Sequence, residues 1–283
     1  MKTSATKTFI GSLLAAVAVT AIAPASADVL DDIRERGVLR VGVAELTPFV
    51  VRTEEDGLIG YEIDNTARLA ADLGVDVEYK EVAFCDLKSA VAGGDVDIIA
   101  SGYSMTDPRR EVLDFSLPYH RTAYHVVVSK EAAEKAAKTA DTVKGLNASN
   151  FKLAYIIGGV SGDVAVANFP DADLKGYSAR SGSFDDVLAG KLDGVVSSDP
   201  FYQYVVAADP DRFVVIRQDD PLHMTIEAFA VKKGEDALLD VLNEWVVERD
   251  QDGFSEALRK KWFESTEWPV TSPSPIVCQG EQS

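Results

Sequence analysis

One eight-residue pattern occurs twice in this chain. Gly94-Asp95-Val96-Asp97-Ile98-Ile99-Ala100-Ser101 is matched by Gly190-Lys191-Leu192-Asp193-Gly194-Val195-Val196-Ser197. Each copy sets a turn glycine three residues ahead of an aspartate, then runs through apolar, β-branched residues to a serine. A Gly and an Asp before a buried strand are common on their own. Two well-separated copies constrain the chain further, because two α/β units of similar construction would produce them. The first copy leads to Ser101 and Arg109, the second to Ser198 and Asp199. In open α/β sheets ligands sit at the carboxyl ends of strands, so both sets are expected to face one crevice.

The rest of the chain reads in the same alternation. Residues 29–36 are spaced as a short amphipathic helix stopped by Gly37, and residues 38–43 as an apolar strand. A helix over 65–73, a strand over 75–81, a helix over 86–92 and a strand over 96–100 predict βαβ units around a largely parallel sheet. The extended Tyr/His/Val segment 119–129 reads as a first crossover, and the charged, Ala-rich segment 130–142 as a surface helix. A strand over 152–157 enters the turn Gly158-Gly159-Val160-Ser161-Gly162-Asp163, whose glycines let the backbone approach a ligand and whose exposed N–H groups favour an anion. Residues 216–232 are expected to carry the chain back. Trp262 and Phe263 read as core anchors, and the segment past Glu264 is Pro/Ser-rich with no helix signal.

Lys2 and Lys7 precede an apolar run over 9–23, and Ala25-Ser26-Ala27 supplies the small-x-small pattern of a signal peptidase site. A signal peptide over 1–27 is therefore expected, with the mature chain beginning near Asp28 in the periplasm. The apolar run is too short for a membrane anchor, and no cysteine follows the cleavage site to carry a lipid. Taking the two leader lysines from 28 basic residues leaves 26 against 46 acidic ones. That excess argues against nucleic acid or anionic lipid as a partner. Cys85 and Cys278 are an even pair in an oxidising compartment, which suggests a disulfide tying the tail beside the cleft. His120, His125 and His223 lack a metal-ligand spacing and read as surface or hinge residues. No cofactor motif is present, and a monomer is expected.

Residues 94–119 carry the densest chemistry. Ser101, Ser104 and Thr106 offer hydroxyls and backbone N–H groups to a carboxylate, and Arg109 offers a planar fork that binds one bidentately. Together they read as a receptor for a small acid, and Asp199 offers a carboxylate from the other unit. An N-cap ahead of Pro200 is the competing reading of Asp199.

Thr106 and Arg109, followed at a fixed distance by Asp114-Phe115-Ser116-Leu117-Pro118-Tyr119, resemble the T-x-x-R-x-x-x-x-D-F-S-x-P-Y signature of the family 3 periplasmic solute-binding proteins, the polar amino-acid receptors of ABC importers. Leu39-Arg40-Val41-Gly42-Val43, Pro48-Phe49 and Gly60-Tyr61-Glu62-Ile63-Asp64 resemble the family's opening. The turn at Gly158 resembles its G-T-T/S-x-E motif, with Val160 in place of the usual hydroxyl residue. Ala228-Phe229-Ala230-Val231-Lys232-Lys233-Gly234 and Lys261-Trp262-Phe263 resemble its close. The resemblance spans about residues 38–263.

It implies an α/β fold of two lobes, the type II periplasmic binding protein fold, with two mixed or parallel sheets joined by two crossover strands. The implied division is lobe one over 28–122, lobe two over 123–222, a return segment with C-terminal helices of lobe one over 223–264, and a tail over 265–283. By the resemblance, Arg109 grips the ligand carboxylate with Ser104 and Ser161, while Asp199 takes the ammonium with Ser101 and Gly102. Phe84 falls where the family sets an aromatic against the ligand side chain. Glu45, in a loop a residue shorter than usual, lies where side-chain contacts vary, although a solvated loop glutamate is the expected reading. The implied function is a receptor that closes on a small amino acid or related zwitterion and delivers it to an inner-membrane ABC permease. The alternatives are a cyclohexadienyl dehydratase-like enzyme, with Glu45 or Asp199 as the acid, and an accessory interaction protein with a vestigial cleft.

Overall fold

The computed structural model describes residues 28–139, 141–199, 201–216, 219–264 and 274–278. The signal peptide expected over 1–27 lies outside the described residues, as does most of the tail. The strands, in chain order, are β1 (Val38–Val43), β2 (Val51–Thr53), β3 (Gly57–Ile59), β4 (Asp76–Glu81), β5 (Ile98–Ile99), β6 (Leu113–Phe115), β7 (His120–Ser129), β8 (Lys152–Ile156), β9 (Asp173–Tyr177), β10 (Gly194–Ser198), β11 (Phe213–Ile216), β12 (His223–Glu227) and β13 (Ala230–Lys232). One sheet has the order β4-β1-β5-β13-β6. The other has the order β11-β7-β10-β8-β9, with β12 also on β7, and β2 pairs β3 as a separate hairpin. In the first sheet β4, β1 and β5 are parallel and β13 runs against β5 and β6. In the second, β10, β8 and β9 are parallel and β7 runs against its neighbours.

The repeated octapeptide has one structural job in both sheets. Asp97 N–H donates to the Arg40 carbonyl at 2.9 Å, and the Asp97 carboxylate accepts the Arg40 N–H at 2.8 Å. Asp193 makes the same reciprocal pair with Lys152, at 2.9 and 2.7 Å. Each aspartate thus stitches its strand to the neighbouring parallel one with a side chain where the backbone ladder begins. This explains why β5 is confined to Ile98–Ile99 instead of spanning 96–100: the Asp97 carboxylate takes the place of a ladder step.

Burial follows the pleat. Val126 and Val128 of β7 face one apolar cluster with Phe151, Leu153 and Phe169, while Val127 faces another with Phe184, Val187 and Phe201. The first sheet has its own core, built on Leu39, Val41, Ile98, Ile99 and Phe229 and closed at its edge by Trp245 and Trp262. Trp262 is an anchor of the expected kind: its ring is buried and its indole N–H donates to Asp64 at 2.8 Å.

The chain passes between sheets twice, at residues 116–119 and 228–229. The first half of β7 pairs with β12, from His120 opposite Glu227 to Tyr124 opposite His223, and its second half pairs with β10 and β11. Asp114-Phe115-Ser116-Leu117-Pro118-Tyr119 runs from the end of β6 through the first of these passages. Ser116 N–H donates to the Phe229 carbonyl at 3.0 Å and its hydroxyl accepts the Phe229 N–H at 3.1 Å, so the two passages are tied together. Asp114 accepts Lys233 Nζ at 3.1 Å and the Gly234 N–H at 2.8 Å.

Three further expectations differ. The helix expected over 65–73 begins at Tyr61, because Gly60 holds a positive φ of 135° against Phe49, leaving the Tyr61 and Glu62 amides to cap on the Pro48 and Phe49 carbonyls. The helix expected over 130–142 is two, Lys130–Ala137 and Thr142–Leu146, the second capped by the Asp141 side chain. His125 is neither a surface nor a hinge residue: it is buried in mid-β7, its ring 4.8 Å from that of Tyr202. Among the described residues no helix is long and apolar enough to cross a membrane.

Candidate functional site

Loops from both sheets and the two crossovers converge where the parallel strands end. The loop after β1 brings Glu45 and Thr47. The loop after β5 brings Ser101, Gly102, Tyr103 and Ser104, and the short helix Asp107–Arg110 brings Arg109. From the other sheet come the Gly158 turn after β8, Arg180 at the start of the helix Arg180–Leu188, and Ser198-Asp199 at the end of β10. Tyr124, Thr225 and Glu227 enter from the crossovers.

Arg109 spans the cleft. Its Nη1 donates to the Ser104 carbonyl at 2.7 Å and its Nη2 to the Gly158 carbonyl of the opposite lobe at 2.9 Å. The guanidinium lies 3.8 Å from the Tyr103 ring centroid and 5.8 Å from that of Phe84. Phe84 therefore stands as a wall of the arginine's slot, a packing role adjacent to any ligand. Gly158 has a φ of 75°, and a Cβ there would come within 2.9 Å of the Cys85 backbone, so only glycine lets the lobes meet at this point.

Asp199 extends the ladder of β10 with β7. Its N–H donates to the Ala123 carbonyl at 2.9 Å and its Oδ1 accepts the Ala123 N–H at 2.7 Å. Burial raises its pKa against the pull of that amide and of His125 and Arg180. Among the described residues neither Arg109 nor Asp199 has an ion-pair partner.

The hydroxyls assigned to ligand binding are engaged internally. Ser101 Oγ accepts the Ala44 N–H and donates to the Ala44 carbonyl, both at 3.0 Å. Ser161 Oγ accepts the Ile156 N–H at 3.0 Å, and the Gly102 N–H donates to Glu62 at 2.8 Å. Ser104 offers its carbonyl to Arg109, while its hydroxyl donates to Glu227 at 3.2 Å and lies 3.1 Å from the Thr225 hydroxyl, which donates to Glu227 at 2.7 Å.

Glu45 corrects the expectation of a solvated loop carboxylate. It is 2% exposed and reaches across the cleft, accepting the Ser181 N–H at 3.3 Å and hydroxyl at 3.2 Å on Oε2 and the Thr47 hydroxyl at 3.0 Å on Oε1. With Arg109 to Gly158 and Arg180 to the Thr47 carbonyl, it makes a third side-chain contact between lobes. The described conformation is closed.

Arg180, Tyr124, Thr225 and Glu227 escaped the sequence reading. Glu227 is buried, and desolvation pushes its pKa up to about 7 despite hydrogen bonds from Thr225 and Ser104. The usable signal was an acid set inside the apolar run Ile226 to Val231. Arg180 gave none, since Ser178-Ala179-Arg180-Ser181-Gly182-Ser183 reads as a polar loop.

Cys85 and Cys278 form a disulfide with Cα atoms 6.1 Å apart. The Cys278 N–H donates to Ser178 Oγ at 2.6 Å, and Ser274 donates to Glu81 at 3.0 Å. The tail thus touches both lobes. No group of three or more metal-ligating side chains is assembled among the described residues.

The L-cystine-binding protein TcyJ of Escherichia coli K12 is 27% identical over 242 residues, covering 83% of this chain and 85% of that protein. A cyclohexadienyl dehydratase of Pseudomonas aeruginosa is 26% identical over 244 residues, covering 85% and 88%. Among solved structures, the ancestral amino acid-binding protein AncCDT-1, described as a precursor of cyclohexadienyl dehydratase, superposes with a TM-score of 0.73 at 30% identity, over 83% of this chain and 99% of that one. The two-lobe architecture is that of these binding proteins. A family model matches residues 39–265, and the chain belongs to the bacterial extracellular solute-binding proteins, family 3.

Proposed function

We propose that this chain is a periplasmic receptor that closes its lobes on a small amino acid or related zwitterion and presents it, as a monomer, to an inner-membrane ABC permease. The observation that carries this reading is that a buried arginine and a half-buried aspartate from opposite lobes face the same cleft, and among the described residues neither has an ion-pair partner. A zwitterion supplies both partners at once: its carboxylate replaces the Gly158 carbonyl on Arg109, and its ammonium meets Asp199 beside the crossover. Lobe one is taken as 28–122 with 223–264 and lobe two as 123–222, with the crossovers as hinge. The cystine, histidine and arginine receptors among its relatives support an amino acid as the ligand class.

A thermal-shift and calorimetric screen of the mature chain against free amino acids tests the proposal. A ligand at a hundred times its dissociation constant adds about 2.7 kcal/mol to stability. Absence of a shift with every amino acid would sink it.

One observation favours a second reading. Glu227, buried and with a pKa near neutrality, is a carboxylic acid able to donate a proton in the cleft. Turnover of a cyclohexadienyl substrate, abolished by Glu227→Gln, would make the chain a dehydratase.

A further inference from the structure

Arg180 is a second buried cation in the cleft, and among the described residues no carboxylate pairs with it. Its side chain is 3% exposed. Nη1 donates to the Thr47 carbonyl at 2.6 Å and Nη2 to the Ser198 hydroxyl at 3.0 Å, both neutral acceptors. Its Nε has no hydrogen-bond partner. The guanidinium lies 4.8 Å from the Phe201 ring centroid and makes no ion pair among the described residues. Glu45 and Asp199 are near enough to act on it through space, yet both oxygens of Glu45 and Oδ1 of Asp199 accept from other donors. A buried charge without a counter-ion is costly, so a chain retains one where a partner arrives from outside.

Arg109 has the same character on the opposite lobe. Each arginine reaches over the cleft to a backbone carbonyl, Gly158 for one and Thr47 for the other. The charges of both guanidinium groups act on buried Tyr124, which lies on β7 between the two lobes. Arg180 also holds Ser198, the residue before Asp199.

We infer that Arg180 binds a second carboxylate of the ligand, which makes the ligand an amino acid with two carboxylates. The inference rests on the receptor reading, in which Arg109 and Asp199 hold the first carboxylate and its ammonium. A second carboxylate comes either from an acidic side chain or from a second amino-acid head. Glu45, bonded to the residue next to Arg180, would then face the second ammonium.

Calorimetry of the mature chain with L-glutamate, L-cystine, L-glutamine and L-arginine tests this. A dicarboxylate is expected to bind about 100-fold tighter than glutamine or arginine. Arg180→Gln should remove about 100-fold of that affinity while changing glutamine binding by less than about threefold. Glu45→Gln separates the two sources: it weakens cystine if the ligand has two heads, and leaves glutamate unweakened if it has one. Arg180→Lys, which keeps the charge, and the ligand-free melting temperature show whether the fold survives. Tighter binding of glutamine or arginine than of both dicarboxylates overturns the inference and leaves the receptor reading standing. Equal weakening of every probe by Arg180→Gln makes the residue a latch between lobes and also overturns it. Binding of no probe, together with a blank amino-acid screen, removes the receptor reading and this inference together.

Discussion

Replacing Arg109 by alanine separates what the residue does for the fold from what it does for a ligand. In the closed structure the guanidinium contributes two hydrogen bonds to carbonyls and a stack on Tyr103. Only one of those bonds crosses the cleft, so the ligand-free cost is about 1–3 kcal/mol, chiefly from the Ser104 carbonyl left unpaired and the lost stacking. With a ligand bound, the same substitution leaves a buried carboxylate with no counter-charge, which costs about 3–5 kcal/mol. The affinity loss should therefore be two to four decades, on the order of 1 µM falling to 0.1 mM or weaker. Titration calorimetry with the best ligand from the screen, alongside ligand-free melting curves, reads both terms. Retention of wild-type affinity would refute the assignment, as would a collapse of the ligand-free fold comparable to the loss of binding.

Asp199→Asn keeps shape and removes charge, so a zwitterion should lose about 1.5–3 kcal/mol while its deaminated analogue loses little; equal losses would make Asp199 a structural extension of β10. Glu227 is protonated more readily folded than unfolded, its pKa moving from 4.5 to about 7, so its contribution is full at acid pH and fades as pH rises through 7. Glu227→Gln should then gain on wild type by roughly 2–3 kcal/mol between pH 5 and pH 8 in thermal melts, and parallel curves would argue against a buried protonated acid. Intact mass under denaturing, non-reducing conditions should lie about 2 Da below the reduced value if Cys85 and Cys278 are bridged, and full alkylation of both thiols without reductant would contradict it. Gly158→Ala, with no room for a Cβ at a positive φ, should hold the lobes apart and cost about 1–3 kcal/mol of closure; an unchanged radius of gyration with ligand would count against the contact.

The alternation of strands and helices was legible because it rests on local spacing, and the repeated octapeptide was legible because each copy serves one sheet. The reason for its aspartate was not, since the Arg40 and Lys152 amides it binds lie on strands distant in sequence. Glu45 and Arg180 were lost for a related cause. Each is buried by the opposite lobe, and burial by a surface contributed from more than a hundred residues away leaves no periodic mark on the sequence. The D-F-S-x-P-Y run that carries the family resemblance lies at the passage between the sheets rather than among the cleft side chains. Ser116 and Tyr119 bond to Phe229 and Glu62 across the first lobe, not to the cleft.

The tail gives the two lobes unequal claims on one short segment. Its bond to Cys85 is covalent, while the Cys278 amide holds Ser178 by a hydrogen bond. Separation of the lobes must break the second and keep the first, so residues 274–278 travel with the first lobe and slide off the second. Val277, 61% exposed beside that junction, then sits at the moving seam of the molecule. A fluorophore placed there would act as a built-in gauge of opening, bright or dim according to whether Ser178 is still at hand, without touching any residue that meets the ligand.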